Sequence, residues 1–142
     1  MRKKFYLSIG IFILVSLSCN KNQKTVRKID ETWTFVQATP LGSLPQSILF
    51  EKCKVSKNNC NGTYTAEDGS TFSFVYRIDE SGTLLTIGDD VFGEVGTTNA
   101  FIDMSMLAGK WTITERKKSS MILESSTCAG CYGKSNTISL SK

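Results

Sequence analysis

Large apolar residues recur at every second position through most of this chain, in short runs closed by glycine, asparagine or aspartate. That rhythm restricts the fold to strands with one buried face. Thr71-Phe72-Ser73-Phe74-Val75-Tyr76-Arg77-Ile78 is the clearest run, and Thr32-Trp33-Thr34-Phe35 and Lys110-Trp111-Thr112-Ile113 repeat its alternation. Between the runs lie turn formers: Ser56-Lys57-Asn58-Asn59, Asp68-Gly69, Asp79-Glu80-Ser81-Gly82 and the charged Arg116-Lys117-Lys118-Ser119-Ser120. They recur after roughly 8 to 12 residues, the spacing of an antiparallel meander. Extended segments are expected at Ser47 to Val55, Cys60 to Ala66, Thr83 to Ile87, Met121 to Ser125 and Asn136 to Ser141 as well. Together these make about eight strands, an all-β domain whose single antiparallel meander closes into a small barrel. Trp33, Phe35, Phe72, Phe74, Tyr76 and Trp111 are expected on its inward face, where they either fill the interior or line a site for one small apolar ligand.

Residues 88 to 107 carry the least pattern. Asp89, Asp90 and Glu94 stand among glycines, a composition that fits a solvated turn; their spacing is not that of a calcium-binding EF-hand loop. Ala100 to Ala108 reads as a short helix or an irregular strand, with Met104 and Met106 filling gaps in the core.

Ahead of the domain, Met1-Arg2-Lys3-Lys4 leads into a nearly unbroken apolar run from Phe5 to Leu17. A positive start followed by an apolar stretch too short for a mature spanning helix is an export signal. Its end, Val15-Ser16-Leu17-Ser18-Cys19, resembles the lipobox of bacterial lipoproteins. The resemblance implies cleavage after residue 18 and fatty acyl chains, palmitate among them, on Cys19; the alternative is a plain secretory signal. Residues 1–18 are then the signal peptide, 19–30 the acylated cysteine with a polar, mostly cationic tether, and 31–142 the barrel domain. The tether is expected to be flexible and to reach at most about 35 Å. Its cations either lie against anionic head groups or serve a solvated spacer.

Removing the signal changes the electrostatics. The whole chain carries a formal charge of +4, but losing Arg2, Lys3 and Lys4 leaves 14 basic side chains against 13 acidic ones. No electrostatic case remains for nucleic acid as a partner. Histidine is absent from the sequence. That excludes Ser-His-Asp and Cys-His catalysis and histidine ligands for metals. No cofactor and no metal is expected, and the chain is read as a non-enzyme.

With Cys19 acylated, Cys53, Cys60, Cys128 and Cys131 remain. An exported protein pairs an even set of cysteines in disulfides, here with three possible connectivities. The hairpin around Ser56–Asn59 sets Cys53 and Cys60 on facing strands, at a separation that suits a bridge. Cys128-Ala129-Gly130-Cys131 has the spacing of thiol oxidoreductases, yet a turn-rich run follows it instead of a helix, so a structural bridge is the stronger reading. A four-cysteine zinc site is disfavoured by the wide first pair and the oxidising compartment.

The acylated signal, Trp33 in the first strand, Gly109-Lys110-Trp111-Thr112-Ile113 in a later one and the turn-broken strands resemble the small lipocalin-like lipoproteins of bacterial envelopes. This resemblance implies a lipid-anchored barrel that binds a small apolar ligand or an envelope protein partner. A structural accessory lipoprotein with a filled core is the alternative, and a redox protein using Cys128 and Cys131 a more distant one. Related lipoproteins use acidic residues after the cysteine for surface display; Asn20-Lys21-Asn22-Gln23-Lys24 has none. The expected location is therefore the envelope, the outer membrane before others, facing the periplasm.

Overall fold

The computed structural model describes residues 21–39, 45–54, 59–93 and 106–142, and the side chains of all of these except 37–39 and 89–93. The signal with Cys19, the Pro40-Leu41-Gly42 loop, most of the Ser56–Asn59 turn, Glu94, Met104, the stretch 100–105 and the carboxylates of Asp89 and Asp90 lie outside that set.

Alternation produces the expected sheet. Strands β1 (Thr32–Thr39), β2 (Ser47–Phe50), β3 (Cys60–Thr65), β4 (Thr71–Ile78), β5 (Leu84–Gly93), β6 (Gly109–Arg116), β7 (Ser120–Ser125) and β8 (Asn136–Ser141) follow one another around a closed eight-stranded barrel. Every neighbouring pair is antiparallel, and β8 closes on β1 through Phe35 opposite Leu140 and Ala38 opposite Ile138. Closure removes the unpaired edges an open sheet would expose. Bulges between Phe35 and Gln37, Phe74 and Tyr76, and Ile113 and Glu115 supply the local bending a single sheet needs to curl.

Two strand limits differ from the sequence expectation. β2 leaves the ladder after Phe50, so residues 51–54 are irregular and Cys53 is not on a strand facing Cys60. β5 continues beyond Ile87 to Gly93: Tyr76 pairs with Ile87 but Phe74 with Val91, so Gly88, Asp89 and Asp90 are carried within the strand by a bulge and do not form a turn.

The largest correction concerns the tether. Lys21–Ile29 is a helix, α1, and it packs on the barrel. Its buried residues Asn22, Thr25, Val26 and Ile29 fall at the i, i+3, i+4, i+7 spacing of one helical face. Half of that face is polar, so it has no apolar periodicity, and burial is tolerated because partners wait for it. The Thr25 hydroxyl donates to the Gly82 carbonyl at 2.8 Å and accepts from Arg116 Nη1 at 2.6 Å. Gln23 Nε2 donates to the Cys53 carbonyl at 3.0 Å. Gly82 must be glycine twice over: its φ is +74°, and a Cβ there would lie 2.8 Å from the Lys21 carbonyl oxygen. These contacts set α1 across the end of the barrel that carries the β2–β3, β4–β5 and β6–β7 connections.

Within the barrel, the closest approach of ring to backbone is at Gly62. A Cβ there would overlap Phe74 Cζ, come within 2.6 Å of its Cε1 and lie 2.8 Å from the Leu49 carbonyl oxygen. The Phe74 ring is stacked on Tyr64 with centroids 4.3 Å apart and meets Phe50 edge-on, so it has nowhere to turn. Gly62→Ala is expected to destabilise the domain by about 1–3 kcal/mol, the range for overpacking a filled core. A urea melt of the variant checks this, and an unchanged midpoint would show that the ring has room to move.

Candidate functional site: the barrel interior and its two ends

Five of the six aromatic residues expected to face inward are fully enclosed: Trp33, Phe72, Phe74, Tyr76 and Trp111 are each at most 2 % exposed. Phe35, opposite Leu140 beside the first bulge, is only partly buried and packs against that cluster. The structure also places Phe50 and Tyr64 among these rings; Phe50 meets Tyr76 edge-on at 5.0 Å. Neither was expected inside. Phe50 sits in a run whose strand ends early, and Tyr64 lies between two threonines whose alternation carried no apolar signal.

The two tryptophans secure opposite ends by the same device. Trp33 Nε1 donates to the Ile29 carbonyl at 3.1 Å, tying β1 to the last residue of α1. Trp111 Nε1 donates to the Leu107 carbonyl at 2.8 Å, tying β6 to the segment before it. Each indole thus buries its apolar body while its one polar group finds a carbonyl four residues back. Lys142 lies over the Trp33 ring at 4.6 Å and pairs with Glu31 at 2.6 Å, closing the C-terminus onto the helix-bearing end.

At the other end lie the β1–β2, β3–β4, β5–β6 and β7–β8 connections. The β7–β8 connection holds the Cys128–Cys131 bridge, with Cα atoms 5.0 Å apart, around a single 3₁₀ turn at Ala129–Cys131. Ala129 N–H donates to the Ala108 carbonyl at 2.7 Å and Gly130 N–H to that of Met106 at 2.8 Å, so this connection folds down onto residues 106–108. Both sulfurs are buried, with Cys128 4 % and Cys131 1 % exposed. A reactive dithiol needs an accessible sulfur at a helix N-terminus; this arrangement has the character of a structural clasp. Cys53 and Cys60 form the second bridge, Cα atoms 5.5 Å apart. It pins the irregular 51–54 segment beneath α1.

Polar groups inside the barrel gather toward the end that lacks the helix. Ser125 is satisfied: its hydroxyl donates to the Lys110 carbonyl and accepts from the N–H groups of Thr127 and Cys128. Asn136, first residue of β8, faces inward in line with Ile138 and Leu140; its Nδ2 donates to the Lys134 carbonyl at 2.9 Å, but its Oδ1 has no partner among the described residues. Tyr64, near the end of β3, is 0 % exposed and its hydroxyl also has no partner among the described residues. Burial holds its pKa far above the usual phenol range, so the group stays neutral and keeps its proton. Tyr76 differs: its hydroxyl donates to the Glu51 carbonyl at 3.0 Å near the helix-bearing end, and its pKa is raised first by burial and then by nearby Asp30 and Glu51.

Among the described residues no cluster of three metal-ligating side chains forms, and no helix is long and apolar enough to cross a membrane. No described protein family, curated protein or solved structure matches this chain.

Proposed function

We propose that the chain is an exported, lipid-anchored envelope protein whose lipocalin-like barrel is not an enzyme but a binding module. It takes a small, mostly apolar ligand bearing one polar head in the half of the interior away from α1. The observation that carries this reading is the pair of buried polar atoms, Tyr64 Oη and Asn136 Oδ1, that find no partner among the described residues. Leaving such a group unsatisfied costs about 1–3 kcal/mol, and native interiors rarely tolerate it without a reason. A hydroxyl or acid group on a ligand would accept from Tyr64 and donate to Asn136, while the surrounding aromatic rings would hold its apolar body. The lipoprotein signal at Met1 to Cys19 supports the location, the envelope with the outer membrane first, facing the periplasm.

A filled core is the second reading, favoured by the tight ring-on-ring packing of Tyr64, Phe74, Phe50 and Tyr76. The Tyr64→Phe variant separates the two. If a ligand uses the hydroxyl, native mass spectrometry of the protein purified in mild detergent shows a bound small molecule that Tyr64→Phe loses. If the core is filled, no such species is found and Tyr64→Phe raises stability by about 1 kcal/mol, because an unsatisfied buried hydroxyl has been removed.

A further inference from the structure

The helix that replaces the expected tether gives its cations a fixed place. Lys21, Lys24, Arg27 and Lys28 are all exposed, on the side of α1 opposite the buried face of Asn22, Thr25, Val26 and Ile29. No acidic residue lies within the helix. Beside it, Arg116 is partly buried, donates to Thr25 at 2.6 Å and has no carboxylate partner among the described residues; desolvation lowers its pKa. Of the carboxylates at this end, Glu31 and Glu115 are paired with Lys142 and Lys117, and Asp79 is occupied by its own turn, accepting from the Thr83 and Leu84 N–H groups and the Ser81 hydroxyl. Asp30, Glu51 and Glu80 also belong to this end but lie outside the helix. The cations therefore form a one-sided surface.

We infer that the outward face of α1, carrying Lys21, Lys24, Arg27 and Lys28, is a docking surface for an anionic lipid bilayer and holds the barrel with its helix-free end directed away from the membrane. The partner follows from chain connectivity. Lys21 is two residues from Cys19, at most about 7 Å along the chain whatever its path. Acylation at Cys19 would thus bring the first cations of α1 within a Debye length of the head groups, about 8 Å at physiological salt. A rigid helix cannot carry its charges away as a flexible tether can. The orientation follows from the fold: α1 covers one end of the barrel, so the opposite end, toward which the buried polar atoms of Tyr64 and Asn136 lie, faces away from the membrane.

This inference rests on the anchoring reading for the attachment at Cys19, and the test keeps the two apart. The full-length processed protein is reconstituted into vesicles of phosphatidylcholine alone or mixed with phosphatidylglycerol, and treated with an amine-acetylating reagent; each lysine is then quantified by mass spectrometry. Lys21, Lys24 and Lys28 are expected to react several-fold more slowly in the phosphatidylglycerol vesicles, with the protection lost at high salt. Lys110 and Lys134, which belong to the other half of the barrel, should react equally in both. The double variant K24E/K28E changes only exposed positions and should restore the reactivity of Lys21. Protein that floats with both vesicles but labels identically in them overturns this inference alone. Protein that floats with neither overturns the anchoring reading and this inference together.

Discussion

Trp111→Ala is expected to remove about 3–5 kcal/mol of stability, the range for truncating a fully buried large aromatic. A small domain holds only about 5–15 kcal/mol in all, so the variant should stand close to unfolding. Two losses combine. The indole is 0 % exposed, opposite Leu85 and beside Leu107, so its removal leaves a void that a closed barrel relaxes into poorly. The Leu107 carbonyl also loses its donor at 2.8 Å, just where residues 106–108 support the Cys128–Cys131 connection. Trp111→Phe retains most of the apolar bulk and forfeits the hydrogen bond, so its loss should be nearer 1–2 kcal/mol. Urea midpoints at constant m-value measure both. An alanine effect as small as that of a surface change, under about 0.5 kcal/mol, would mean that the core is not built around this ring.

Acylation should be equally decisive for location. The intact mass of the protein extracted from membranes is expected to equal residues 19–142 plus fatty acyl groups on the new N-terminal Cys19, and Cys19→Ser should abolish that added mass. Each buried methylene contributes about 0.8 kcal/mol, so several chains hold the domain almost permanently while one chain holds it marginally. Without them the four cations of α1 remain, at about 1 kcal/mol each near an anionic surface, and salt screens these. The processed but unacylated domain should thus wash from membranes at high ionic strength. An unmodified mass, or an N-terminus elsewhere, would overturn the lipoprotein reading.

The strand plan was legible because its signal is local. Phe72, Phe74, Tyr76 and Ile78 alternate with Thr71, Ser73 and Arg77, and alternation at period two needs no partner to be recognised. Both disulfides were legible for a similar reason, as each joins cysteines at most seven residues apart. β2 and β5 show where local pattern stops: apolar and β-prone residues do not say where a ladder ends or that a bulge will carry Gly88 and two aspartates through a strand. Tyr64 was hidden in Thr63-Tyr64-Thr65, whose inward side is settled only by register with Ile48 and Phe72.

By itself the sequence determined a chain without histidine chemistry and about eight short antiparallel segments, because composition and period two are properties of residues and their immediate neighbours. Only the tertiary structure decided that Lys21–Ile29 is a helix. Its buried face mixes Asn22 and Thr25 with Val26 and Ile29, so the segment has no reason of its own to leave water. It becomes favourable when the closed barrel offers an open end to cover and, in Gly82 and Arg116, hydrogen-bond partners for the hydroxyl being buried. The same closure leaves Tyr64 Oη and Asn136 Oδ1 without partners among the described residues, since strands far apart in the chain must meet before an interior exists for a polar atom to be stranded in.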